Sequence, residues 1–291
     1  MPGSLFLPSI QPEDPLYARI RDRRDIHAEE WHQALQLMWT DFQPYAPRGF
    51  RKNLRVSFHQ RWWEMYLTLG CVRLGFTVKT FRNDRGPDIL IELEGQKVWV
   101  EAVAPRPGEA TDAVPEPVLN GCQELPIRES ILRLTNAIGE KRRKFESYIQ
   151  QGIVSEDDPC IVAVSSCCLN QFGTILDFPQ SVMLRVLAGA GDLVIPINGT
   201  RRSYSEFTDT THRDSGSSVN LNLFYQDGYE IISGVLYSAH DPLNAPGRPE
   251  AALELFINPN SRVVIPSAFS DTVPTSSEVS SGQEICWHRN Q

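Results

Sequence analysis

The chain has 291 residues, 41% of them hydrophobic, and a formal net charge of −8. That length and composition can bury a full core in one elaborated domain or two small ones, and the acidic balance excludes a protein whose whole surface grips nucleic acid. No apolar run approaches a membrane span, and the first residues offer only Leu5-Phe6-Leu7 with no basic segment before them, so a soluble, cytoplasmic protein without membrane contact is expected.

Residues 1–54 read as an N-terminal helical extension: an irregular, proline-rich lead-in to about residue 16, then one or two helices over 17–43. Ile20, Ile26, Trp31, Leu35, Met38, Trp39 and Phe42 recur there near helical spacing. From about Val56 to Gly70 the pattern is helical again, apolar over most of its circumference, with one polar seam of Arg61, Glu64 and Thr68. Such a helix is largely buried, and Gly70 is expected to end it. Residues 75–81 follow as a strand.

Ile89 to Leu93 and Val98 to Val103 are two β-rich runs around a Glu94-Gly95-Gln96 turn, which predicts a hairpin. Gly86-Pro87 bends the chain before the first run and leaves Asp88 at its mouth. Glu101 sits inside the apolar run Val98-Trp99-Val100-Glu101-Ala102-Val103. A charge there is costly unless it is paired or binds a metal. Two carboxylates at neighbouring strand positions suit one hard divalent cation.

The proline-rich connection from Ala104 to Pro126 could cover the mouth of that site. Residues 128–150 form a helix with an apolar stripe of Ile131, Leu134, Ile138, Phe145 and Ile149; Lys141 borders it, and Arg142 interrupts it. Cys160 to Val164 is an uninterrupted apolar strand, as in a sheet covered on both faces. Residues 171–267 read as a β-rich extension of the same domain, with a short helix at Met183–Ala188 and a polar surface loop over 201–218. Strands are expected at 219–225, 229–237 and 251–257, the first two joined by a hairpin turn at Asp227-Gly228. Residues 268–291, dense in Ser, Thr and Glu, read as a disordered tail.

The six cysteines have no metal-knuckle spacing and read as reduced structural thiols; Cys286-x-His288 stands alone as a metal-like pair. Three basic clusters, Arg48 to Arg61, Lys141 to Lys144, and Arg201, Arg202 with Arg213, read as solvated faces or as local contacts to phosphate.

Residues 55–170 therefore have the order helix, three strands, helix, strand. With Pro87-Asp88 matching its PD and Glu101-Ala102-Val103 its (D/E)XK, this stretch resembles the PD-(D/E)XK superfamily of restriction-endonuclease-like nucleases. The third position departs from the pattern, since Val103 stands where the family has lysine. The resemblance implies an α/β fold with a restriction-endonuclease-like core, an N-terminal helical addition and extra C-terminal strands. It implies a Mg²⁺- or Mn²⁺-dependent phosphodiesterase acting on nucleic acid, DNA before RNA. Asp88, Glu101 and the Ala102 carbonyl would be metal ligands, and Glu64 would join them directly or through water. Lys141, on the following helix, would replace the missing lysine, with Lys144 the second choice. Arg61, Lys144 and Arg133 would contact nucleic acid. The alternative is a catalytically degenerate relative that uses the fold to bind nucleic acid or a protein. No Gly-rich phosphate loop, Gly-x-Ser-x-Gly or His-Glu-x-x-His sequence points to another enzyme class.

Overall fold

A computed structural model describes residues 3–8, 14–80, 86–93, 95–109, 111–118, 120–169, 181–197, 204–244, 247–281 and 284–290. Phe81, Glu94, Arg201, Arg202 and the side chains of Cys286 and His288 lie outside the described residues, so the readings that rest on them stay with the sequence. The chain begins with helices α1 (Pro15–Arg21), α2 (Ile26–Phe42), α3 (Phe50–Leu54) and α4 (Phe58–Arg73). Strands β1 (Thr77–Thr80), β2 (Ile89–Leu93) and β3 (Gln96–Val103) follow, then α5 (Ile127–Gln150) and β4 (Cys160–Ser165). The second half contributes α6 (Val182–Ala188), β5 (Ala190–Val194), β6 (Tyr204–Phe207), β7 (Thr210–His212) and β8 (Ser218–Asn220). It ends with β9 (Gly234–Ser238), β10 (Glu254–Ile257), α7 (Ser267–Ser270), β11 (Thr275–Ser281) and β12 (Glu284–Asn290).

The architecture is α/β. One eight-stranded mixed sheet has the order β1-β2-β3-β4-β9-β10-β11-β12. The strands β1, β2 and β3 are antiparallel neighbours, and β4 runs parallel to both β3 and β9. Alternate strand residues face opposite ways, so the sheet separates two apolar layers. Val98, Val100 and Ala102 of β3 pack with Ile161 and Ala163 of β4 against α4 and the N-terminal helices. Trp99, Val162 and Val164 face the other layer, with Ile131, Leu134, Ile138 and Phe145 of α5. By this alternation Glu101 points at α5.

The N-terminal helices are fastened to the sheet-bearing part at Asp14. One oxygen of this carboxylate accepts from the Leu16 and Tyr17 amides at the start of α1, and the other accepts from the Phe58 amide at the start of α4. Two helix ends are thus satisfied by one side chain. Gly70 does not end α4. A Cβ there would lie 2.9 Å from the Leu253 Cδ1, so the glycine is needed for close approach of the 249–253 turn rather than for a C-cap.

Two further readings are corrected. Residues 219–225 and 229–237 do not form a hairpin: β8 pairs with β7, and β9 pairs with β4 and β10. The Asp227-Gly228 turn has another task, because the Arg142 guanidinium donates to the Gly228 carbonyl and lies 5.3 Å over the Tyr229 ring. Gly228 has φ of 84°, and a Cβ would meet the guanidinium at 2.6 Å. This also accounts for Arg142 interrupting the apolar stripe: its charge leaves through that turn. The 201–218 stretch is not wholly loop, since β6 and β7 fall within it.

The largest correction is at the C-terminus. In place of a disordered tail, β11 docks parallel on β10 and turns back into β12. Polar composition misleads there because the buried groups are themselves polar and bonded. Thr275 is 2% exposed and donates to the Val273 carbonyl, and Ser276 is 4% exposed and donates to Glu254. In hydrogen exchange read by mass spectrometry, amides of 275–281 should exchange more slowly than those of the exposed 213–217 turn; exchange at the rate of an unstructured peptide would show that the pairing does not form.

Among the described residues no helix is long and apolar enough to cross a membrane.

Candidate active site

The site forms where β2 stops short of its neighbour. Ile89 is the last residue of β2 paired with β3, opposite Val100, so the β2-facing edge of Ala102 has no strand beside it. Two side chains take the place of that strand. Asp88, bent away by Gly86-Pro87, accepts from the Ala102 amide through Oδ2 at 2.8 Å. Gln60, from the first turns of α4, donates to the Ala102 carbonyl at 3.3 Å and accepts from the Ala104 amide at 2.8 Å. The backbone polar groups of the strand end are thereby satisfied without a continuous ladder.

Glu101, one residue earlier, turns to the other face and is 1% exposed. Its carboxylate receives three donors from one face of α5, spaced three and four residues apart. Lys141 Nζ lies 2.5 Å from Oε2, Lys144 Nζ 3.4 Å from the same oxygen, and the Tyr148 hydroxyl donates to Oε1 at 2.9 Å. Lys141 also lies 3.9 Å from Asp88 Oδ2. Both carboxylates therefore surround one ammonium, and their nearest oxygens can be no farther apart than the sum of those two Lys141 distances.

The electrostatics follow from this crowding. Burial, then the Glu101 charge, pushes the Asp88 carboxyl up to about 7, although Lys141 and the Ala102 amide pull the other way. A third of the Asp88 side chain, 33%, still meets solvent. For Lys141 burial acts to lower the pKa, but Glu101 and Asp88 outweigh it and hold it above the ordinary lysine value. Burial and the adjacent Glu101 raise the Tyr148 hydroxyl, so it stays a donor.

Glu64 is 7% exposed on α4 and approaches the site from the opposite layer. Its carboxylate accepts from Arg61 at 2.6 Å and from Gln60 at 3.0 Å, and Gln60 links it to the Ala102 carbonyl. The structure thus brings Asp88, Glu101, Lys141 and Lys144 together and joins Glu64 through Gln60. Arg61 is engaged with Glu64. Arg133 is turned to the 104–126 connection, where it donates to the Asp112 carbonyl.

Asp88, Glu101 and the Ala102 carbonyl supply only oxygen donors, the set that suits Mg²⁺ or Mn²⁺, and Mg²⁺ keeps several of its waters. On donor chemistry these residues fit such an ion. No group of three or more His, Cys, Asp or Glu side chains arranged to hold a metal occurs among the described residues.

Sequence reasoning missed Gln60 and Tyr148. Tyr148 was signalled by its helical spacing from Lys141 and Lys144, and Gln60 by lying one turn before Glu64 on the same seam. In comparisons with protein-family models, curated proteins and solved structures, nothing matches this chain.

Proposed function

We propose that the protein is a metal-dependent nuclease with a restriction-endonuclease-like core, hydrolysing phosphodiester bonds in DNA rather than RNA. The observation that carries this reading is Lys141. It reaches from α5 to 2.5 Å from Glu101 and 3.9 Å from Asp88, and so supplies the ammonium that Val103 cannot. The order α4, β1, β2, β3, α5, β4, with β4 parallel to β3, supports the core assignment.

Asp88, Glu101 and the Ala102 carbonyl would hold the ion. A divalent cation so held would lower the pKa of its bound water and neutralise charge on the phosphate. Lys141 orients the Glu101 carboxylate and places a positive charge beside the attacked phosphate. Tyr148 fixes the other Glu101 oxygen. Lys144, whose side chain is 53% exposed, reaches Glu101 at 3.4 Å and presents its ammonium to a backbone phosphate from the solvent side. Gln60 holds the Ala102 carbonyl in line, and Arg61 holds the Glu64 carboxylate in place. The buried free thiols Cys71, Cys160 and Cys167 support a reducing, cytoplasmic setting.

A second reading, a fold kept for binding alone, is favoured by one observation: three donors already saturate Glu101 in a nearly closed site. Plasmid, single-stranded DNA and RNA incubated with Mg²⁺ or Mn²⁺ separate the two. Cleavage of DNA by the parent is expected, falling by about a hundredfold or more in Asp88→Ala. Cleavage of none of the three, or equal cleavage by Asp88→Ala, would reject the nuclease.

A further inference from the structure

Exposed apolar side chains concentrate in one place among the described residues, the two-stranded ribbon of β5 and β6. Leu193, Ile195, Ile197 and Phe207 are from 40% to 102% exposed, and none joins either apolar layer of the main sheet. The register explains their crowding. Leu193 pairs with Ser205 and Ala190 with Phe207, on either side of a bulge. Paired residues share a face and alternate residues return to it, so Leu193 and Phe207 point the same way, and Ile195 follows Leu193 just beyond the end of β5. Asp192 and Glu206 take the opposite face, where they line a cavity of about 830 Å³ with Thr111 of the 104–126 connection and Arg128 of α5. The apolar face is therefore the one turned away from the main body.

We propose that this face is a two-fold interface, which docks on the same face of a second copy of the chain. The proposal is independent of the nuclease reading. A two-stranded ribbon is marginally stable by itself, and a contiguous apolar patch of this kind marks a contact surface. The ribbon gains most from a partner that covers its apolar side and leaves the cavity side as it is.

Area and charge both select a second copy as that partner. With roughly 200 Å² for each large side chain, the four exposed fractions leave roughly 600 Å² uncovered. Stable interfaces begin at about 1,200 Å² in total, so the partner must bring an equal area, and a two-fold copy does so by construction. The apolar face itself carries no charge. Among the described residues the charges of the ribbon are the acids Asp192 and Glu206, and Arg185 of α6 is already paired with Asp192 at 2.8 Å. The phosphates of a nucleic acid or of an anionic lipid surface would meet carboxylates at its rim. A twin brings only apolar atoms to the centre of the contact.

Sedimentation velocity of the full chain, up to about 100 µM, tests the interface. The parent should pass from the single-chain mass of 32.9 kDa to twice that mass, with half of it dimeric at or below about 10 µM. Ile195→Glu and Phe207→Glu set like charges across the two-fold axis, so each should weaken the dimer by about thirtyfold or more. Their far-UV spectra should match the parent, since both side chains are exposed. If either fails to fold, Ile197→Glu, at the most exposed of the four positions, takes its place. A parent that stays monomeric at about 100 µM overturns the proposal. So does a dimer that these variants leave intact, because its interface then lies elsewhere. Binding of a monomeric parent to duplex DNA or to phosphatidylserine vesicles, lost in Ile195→Glu, would also overturn it, by giving the face to another kind of surface.

Discussion

Lys141→Ala should lower the unfolding free energy by about 3 kcal/mol and abolish any metal-dependent cleavage, because it strips the nearest cation from a buried carboxylate. Removing one partner of a buried ion pair ordinarily destabilises by about 3–5 kcal/mol. The lower end applies because Lys144 and Tyr148 still reach Glu101. Lys141→Met with Glu101→Gln removes both charges and keeps the volume, so the double variant should lose less than the two single variants added together. The sign with pH is fixed by the raised Lys141 pKa: the pair is fully present below the ordinary value of 10.5 and is lost only as pH rises past the higher folded value. Urea unfolding at pH 7 measures all of this. A Lys141→Ala variant within about 1 kcal/mol of the parent would mean that Lys141 is not the principal partner of Glu101.

The readable part of this pair was the misfit of each residue with its element. Glu101 breaks an apolar strand, and Lys141 borders an apolar helix face, so each needed a partner that its own element does not provide. That need is visible in a sequence. The role of Gln60 at the end of β3 is not, because a side-chain amide replacing a missing strand neighbour depends on where the β2–β3 pairing ends and where α4 lies across the sheet. The same limit explains β9 and the C-terminal strands. A turn signal such as Asp227-Gly228 says that the chain reverses, not what it pairs with afterwards, and here the reversal serves Arg142. Thr275 and Ser276 look like solvent-facing residues until the neighbouring strand and turn supply their hydrogen-bond partners.

Mn²⁺ should raise the melting temperature of the parent at pH 8, and Asp88→Asn should respond weakly or not at all. Without metal, Asp88 is buried against Glu101 and Glu64 with Lys141 and the Ala102 amide opposing them, and its carboxyl is pushed from 3.8 to about 7. In a dry site that change disfavours ionisation by about 4 kcal/mol. With 33% of the side chain in solvent, screening reduces this to about 2 kcal/mol. The folded pKa lies above the unfolded one, so the contribution is fully present below about pH 3.9 and is lost as pH rises through about 7. The stability of Asp88→Asn relative to the parent should therefore improve by about 2 kcal/mol across that window and change little above it. A bound cation reverses the balance, because it favours the ionised form. At a hundredfold excess over Kd it stabilises the fold by about 2.7 kcal/mol. Below pH 7 a proton competes for Asp88, and at pH 5.5 the apparent affinity should be about thirtyfold weaker. Equal Mn²⁺ shifts in the parent and in Asp88→Asn would place the binding away from Asp88. No shift in either at millimolar Mn²⁺ would leave Lys141 as the permanent counter-ion of the two carboxylates and favour the binding-only reading.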